Sequence, residues 1–217
     1  NKSVEITDTV LKKYAKSWVR PAVAKDLARY EKQGEEEKQS ELKQDYEPRG
    51  VQIEALYELE KSRKEGAEKG IVHAATGIGK TYLAAFDSLP YKRVLFVAHR
   101  EEILRQAAEA FHNVRPDDSY GFFTGDKKDA DVDLLFASVA SLGKEEVLKG
   151  KFSPDSFEYI VMDECHHSTA DQYQKILDFF HPAYLLGLTA TPERMDGRSV
   201  YELYDFEVPY EITLKEA

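Results

Sequence analysis

Short runs of apolar residues recur along the second part of the chain, hydrophobic on both faces rather than alternating. They fall at 71–75, 93–98, 133–137, 159–162 and 184–188, with 93–98 reading Arg-Val-Leu-Phe-Val-Ala. A strand with one wet face shows period-two alternation, whereas a strand covered on both faces reads as a continuous apolar run. The segments between these runs carry helical patterning at 51–65, 80–89, 101–111 and 172–180, with Leu56 and Leu59 on the inner face of the first and Gly66 at its end. Alternating buried strands and helices predict an α/β domain with a mainly parallel central sheet flanked by helices.

The pattern begins near residue 46, and what precedes it differs. Residues 1–30 place Leu11, Tyr14, Trp18, Val23, Leu27 and Tyr30 at helical spacing, with Pro21 at a helix start or kink. Basic residues prevail there: Lys2, Lys12, Lys13, Lys16, Arg20, Lys25 and Arg29 against Glu5, Asp8 and Asp26. Residues 31–45 then lose almost all apolar character and read as a solvated helix or linker. The expected division is a helical extension with a charged linker over 1–45 and an α/β domain over 46–217. The chain opens on Asn1 and still reads as a strand at 210–215, so it is expected to be a piece of a longer protein.

Forty acidic against thirty basic residues give a net charge of -10, so the overall basic balance of many nucleic-acid binders is absent, and local placement of charge must decide. A single cysteine, Cys165, rules out an internal disulfide and points to a reducing compartment. No apolar run approaches the ~18 residues of a membrane span, and no secretory leader pattern is present. The expectation is a soluble cytoplasmic protein with no membrane partner.

Ala74-Ala75-Thr76-Gly77-Ile78-Gly79-Lys80-Thr81 follows an apolar run and opens a helical segment. Small residues let backbone amides curl around phosphate oxygens, and the helix N-terminus adds a favourable dipole. Lys80 reaches the terminal phosphates and the Thr81 hydroxyl faces Mg2+. The first position is Ala74 where the usual pattern has Gly. A plain glycine-rich strand-to-helix turn is the bland alternative.

Asp163-Glu164-Cys165-His166-His167 sits at the carboxyl end of another apolar run, where ligands bind in parallel sheets. An Asp there holds Mg2+, and an adjacent Glu orients and deprotonates an attacking water. A zinc site on Cys165, His166 and His167 is the rival reading; consecutive residues seldom converge on one ion, and no CxxC or HxxxH partner occurs elsewhere.

From residue 48 to about 196 these boxes and others follow in an order that resembles the first RecA-like motor domain of DExH-type superfamily 2 helicases and translocases. Arg49-Gly50-Val51-Gln52 looks like the Q motif, and Ala75 to Thr81 like motif I. Val97-Ala98-His99-Arg100-Glu101-Glu102-Ile103-Leu104 is similar to motif Ia, Phe123-Thr124-Gly125-Asp126 to motif Ib, and Ala137-Ser138-Val139-Ala140-Ser141-Leu142 to the short motif after it. Asp163-Glu164-Cys165-His166 resembles motif II, with Cys where Ala is commoner, and Leu188-Thr189-Ala190-Thr191-Pro192-Glu193-Arg194 resembles motif III. Gly187-Leu-Thr-Ala-Thr-Pro-Glu-Arg-Met-Asp-Gly197 resembles the stretch carried by the bacterial type III restriction-like (Res-subunit) group.

The resemblance implies a RecA-like P-loop NTPase that uses ATP and Mg2+. Arg49, Gln52, Thr76, Gly77, Ile78, Gly79, Lys80 and Thr81 would hold the nucleotide. Lys80, Asp163 and the general base Glu164 would serve catalysis, with Thr81 and Asp163 on the metal. His166, Thr189 and Thr191 would couple the site to nucleic acid and to a second RecA-like domain. Arg100, Thr124, Gly125 and Ser138 would touch the nucleic-acid backbone, DNA before RNA; Ser138 reads equally as a helix cap. A second motor domain supplies the arginine finger in such enzymes; Arg194 and Arg198 follow the last box, but nothing in the sequence places them near a γ-phosphate, so this chain is expected to bind ATP·Mg2+ and turn it over slowly. A nuclease domain or subunit is a further implied partner. Beside the helicase or translocase reading stand an ATP-gated nucleic-acid-binding module without strand-separating activity, and a P-loop kinase, which needs neither the Thr-Ala-Thr box nor Gln52.

Overall fold

The computed structural model describes residues 46–74, 77–163, 170–190, 204 and 208–212. The helices and linker expected over 1–45 lie outside these residues, as do Thr76, Glu164, Cys165, His166, His167, Thr191, Arg194 and Arg198.

In chain order the elements are α1 (Val51–Lys64), β1 (Lys69–Ala74), α2 (Lys80–Asp87), β2 (Val94–Ala98), α3 (Glu101–Val114), β3 (Tyr120–Phe123), β4 (Leu134–Ser138), α4 (Val139–Leu142), α5 (Glu145–Lys151), β5 (Tyr159–Asp163), α6 (Ala170–Phe179), β6 (Tyr184–Thr189) and β7 (Tyr210–Ile212). The strands make one 7-stranded sheet in the order β3-β4-β2-β5-β6-β1-β7. Every ladder among the described residues is parallel. The continuous apolar runs account for this: β2, β4 and β6 are buried at every position, which only a sheet covered on both faces provides. Among the described residues, no helix is long and apolar enough to cross a membrane.

The helices are amphipathic for legible reasons. α3 turns Leu104, Ala107, Ala108 and Phe111 inward, and the Phe111 ring meets Phe96 edge-on at 5.7 Å and Phe136 at 5.6 Å. Burying such a ring is worth about 1.5–3 kcal/mol. Glu101 and Glu102 in its first turn offset the helix dipole. The expected elements return with ends shifted by up to three residues. β3, α4 and α5 were not expected as elements: β3 is four residues interrupted by Gly121, α4 is a single turn, and Gly150 weakens the pattern of α5.

At the amino edge of the sheet, a buried ion pair joins the far ends of α1 and α2. Arg63 Nη1 and Nη2 donate to the two Asp87 carboxylate oxygens at 2.8 and 2.7 Å, and the Tyr159 hydroxyl donates to Asp87 Oδ2 at 2.6 Å. Burial works against the Arg63 charge, yet hydrogen bonding and attraction from Asp87 hold its pKa above the ordinary arginine value. Burial, and then the Asp87 charge, push the Tyr159 hydroxyl well above the usual tyrosine range.

Candidate nucleotide-binding site

β1 ends at Ala74 and α2 starts at Lys80, so the intervening loop must reverse within a few residues at the carboxyl edge of the sheet. Gly77 at φ 94° and Gly79 at φ 78° supply backbone conformations that L side chains rarely adopt. Gly79 is the N-cap of α2. A Cβ there would also stand 2.6 Å from Gln52 Nε2, whereas one at Gly77 would meet open space. The Lys80 ammonium donates to the Ala74 carbonyl at 2.7 Å, folding back over the loop it terminates.

Gln52, in the first turn of α1, reaches this loop. Its Nε2 donates to the carbonyls of Ile78 and Gly79, both at 3.3 Å, and its Oε1 accepts from the Arg49 amide at 3.0 Å. Arg49, Gln52, Ile78, Gly79 and Lys80 are therefore gathered at one place, with Arg49 exposed and the others half-buried.

β6 lies between β1 and β5, with Leu188 opposite Val72 on one side and Asp163 on the other. Two strand spacings put the ends of β1 and β5 about 10 Å apart. Asp163, half-buried at the end of β5, thus shares the carboxyl edge with Lys80 and with the half-buried Thr81. Thr189, which closes β6 between them, is fully buried. Gln52, Gly79, Lys80 and the strand ends match what a nucleoside triphosphate needs: amides, one ammonium, and hard oxygen donors in Thr81 and Asp163 of the kind Mg2+ prefers.

The residues expected to meet nucleic acid are brought together on the other half of the same edge, where β3, β4 and β2 are neighbours. Arg100 is the exposed N-cap of α3 just past β2. Thr124 is buried and Gly125 exposed just past β3. Ser138 is the N-cap of α4, its Oγ accepting from the Ser141 amide at 3.3 Å. Capping occupies a lone pair and leaves the hydroxyl proton available. A shallow cleft opens here, lined by Glu101, Arg105, Phe122, Thr124, Asp126 and Lys127. Arg105 and Lys127 were not anticipated, although Lys127 directly follows the Thr-Gly-Asp box.

A third unanticipated residue is His73. Its Nε2 lies 3.2 Å from the Ala190 carbonyl, a separation at which a protonated Nε2 donates to that oxygen. In the sequence it stands as a lone ionisable side chain inside the apolar run 71–75, with nothing to mark its partner.

The parallel sheet, the glycine-formed loop at the end of β1 and the acidic end of β5 define a P-loop domain of RecA-like fold. The model of the family "Type III restriction enzyme, res subunit" matches residues 45–194, and the chain belongs to that family. Similar proteins include the type I restriction enzyme EcoAI endonuclease subunit of Escherichia coli, 31% identical over 78% of this chain and 22% of its own length. The DNA 3'-5' translocase XPB2 of Sulfurisphaera tokodaii is 29% identical over 75% of this chain and 34% of its own length. The chain thus spans only about a fifth to a third of these relatives. In fold it resembles a nuclease-deletion mutant of the type ISP restriction-modification enzyme LlaGI in complex with a DNA substrate mimic, with a TM-score of 0.61, 19% identity, and 78% of this chain and 20% of that one covered.

Proposed function

We propose that this domain is the nucleotide-binding half of an ATP-dependent DNA helicase or translocase motor, with residues 1–45 as an extension to it, working in the cytoplasm. The observation that carries the reading is the Lys80 ammonium at the end of β1, beside a loop held open by Gly77 and Gly79 and braced by Gln52. Backbone amides from Thr76 to Thr81 and the Lys80 ammonium hold the phosphates, and Arg49 and Gln52 flank the base. Thr81 and Asp163 would hold Mg2+, which when bound would supply positive charge against the negative charge of the phosphates.

Glu164 accepts a proton from the attacking water as its oxygen bonds to the γ-phosphorus. The bond from that phosphorus to the β,γ-bridging oxygen breaks, and ADP leaves with the electron pair. His166, Thr189 and Thr191 relate this step to Arg100, Thr124, Gly125 and Ser138, which hold a DNA backbone along the neighbouring half of the edge. A second RecA-like domain of the parent protein supplies the arginine that meets the developing charge, and a nuclease domain or subunit is a further candidate partner.

The test is ATP binding and hydrolysis by this chain, alone and with single-stranded DNA, duplex DNA or RNA, beside Lys80→Ala. ATP should bind with Mg2+, and turnover by this chain alone should stay below about one per second, since the arginine finger is worth 10³–10⁵ in rate. Lys80→Ala should weaken ATP binding by about tenfold or more, the worth of a hydrogen bond to a charged group. Binding indifferent to Lys80→Ala, or turnover well above one per second without a second domain, would overturn the reading.

A further inference from the structure

β1 is an apolar strand whose last two residues face different tasks. The Ala74 carbonyl accepts from the Lys80 ammonium at 2.7 Å. One residue earlier, His73 pairs in register with Thr189 and sets its Nε2 3.2 Å from the carbonyl of Ala190. Ala190 follows the last residue of β6 and stands at the centre of the Thr189-Ala190-Thr191 box. Among the described residues the register between β1 and β6 runs as far as His73 and Thr189, one residue before Ala190. Along the strand His73 is flanked by the buried Val72 and Ala74, and across the sheet it is paired in register with Thr189 and Glu211.

We propose that His73 is a positioning residue: its Nε2–H ties the Thr-Ala-Thr box to the strand that carries the phosphate loop, so that occupation of the loop is felt at Thr189 and Ala190. This rests on the nucleotide-site reading above and deepens it. Adjacent residues of one rigid strand hold the lysine of the loop and the backbone of the box. Displacing Lys80 from Ala74 therefore acts on the same few ångströms of chain that His73 anchors.

The experiment is NMR of backbone amides in the whole chain, titrated with ATPγS and Mg2+. Two variants are compared, His73→Gln, which keeps a donor near the Nε2 position, and His73→Phe, which keeps a ring without it. In the native chain the amides of Gly79 and Lys80, and those of Thr189 and Ala190, should shift on titration more than the distant β4 amides of Leu134 to Ala137. In His73→Phe the Gly79 and Lys80 shifts should persist, with nucleotide affinity within about twofold. The Thr189 and Ala190 shifts should fall to the β4 level, and His73→Gln should restore most of them. Native-sized shifts at Thr189 and Ala190 in His73→Phe would overturn the proposal, as would equal loss in both variants or loss of nucleotide affinity or folding in both. Absence of any shift at Gly79 and Lys80 in the native chain would instead remove the nucleotide reading itself, and this proposal with it.

Discussion

Ser138 shows how one side chain serves structure and remains open to function. Its Oγ caps α4 through the Ser141 amide, so Ser138→Ala should lower the unfolding free energy by about 1 kcal/mol, read from the midpoint of urea denaturation. No change in midpoint would mean that the cap carries no weight. The sequence allowed both roles, and the hydrogen bond establishes the cap. The places of Gly79 and Lys80 at a strand-to-helix turn and of Asp163 at a strand end were legible, because glycine spacing and the end of an apolar run mark such positions. His73 was not, since a single imidazole in an apolar run gives no clue to a carbonyl 117 positions away.

Among elements, α1 is fastened to α2 twice. Gln52 holds its first turn to the loop, and Arg63 holds its last turn to Asp87. Tyr159 at the foot of β5 donates to the same carboxylate, and its raised pKa makes that foot sensitive to alkali. The folded state keeps the Tyr159 proton above the pH at which an unfolded tyrosine loses it. Stability is therefore fully present below about pH 10 and falls as pH rises beyond it. Unfolding free energies measured between pH 8 and 11 should decline, and Tyr159→Phe should flatten that decline; an identical slope in the variant would sink the argument. Long buried strands were readable from composition alone, whereas β3 and α4 are too short to show a period. They exist because neighbours complete them: β3 by pairing with β4 and α4 by the Ser138 cap.

For the molecule as a whole, charge and topology together shape how a polymer is met. The net charge is -10, and of the four residues proposed to hold a nucleic-acid backbone only Arg100 is cationic. Arg105 and Lys127 stand in the cleft nearby. Binding of single-stranded DNA should then release few counterions, with a slope of log K against log salt between about -0.7 and -2, taking one to three cations. Fluorescence anisotropy between 50 and 200 mM salt reads this directly, and a slope of -5 or steeper would show a basic surface elsewhere. The order of the boxes made the α/β class readable, but not the division of the carboxyl edge. That division follows from strand order, β3-β4-β2 on one side and β5-β6-β1 on the other, and strand order is a property of crossovers rather than of local pattern.

The contact between Lys80 and Ala74 gives the lysine of the phosphate loop an acceptor within the chain itself. Any incoming anion competes with an internal acceptor, so its affinity measures a replacement rather than a simple addition. A carbonyl offers the ammonium a neutral dipole, while a terminal phosphate offers a full charge and a stronger bond. The lysine therefore gives up the strand most readily to the most highly charged guest.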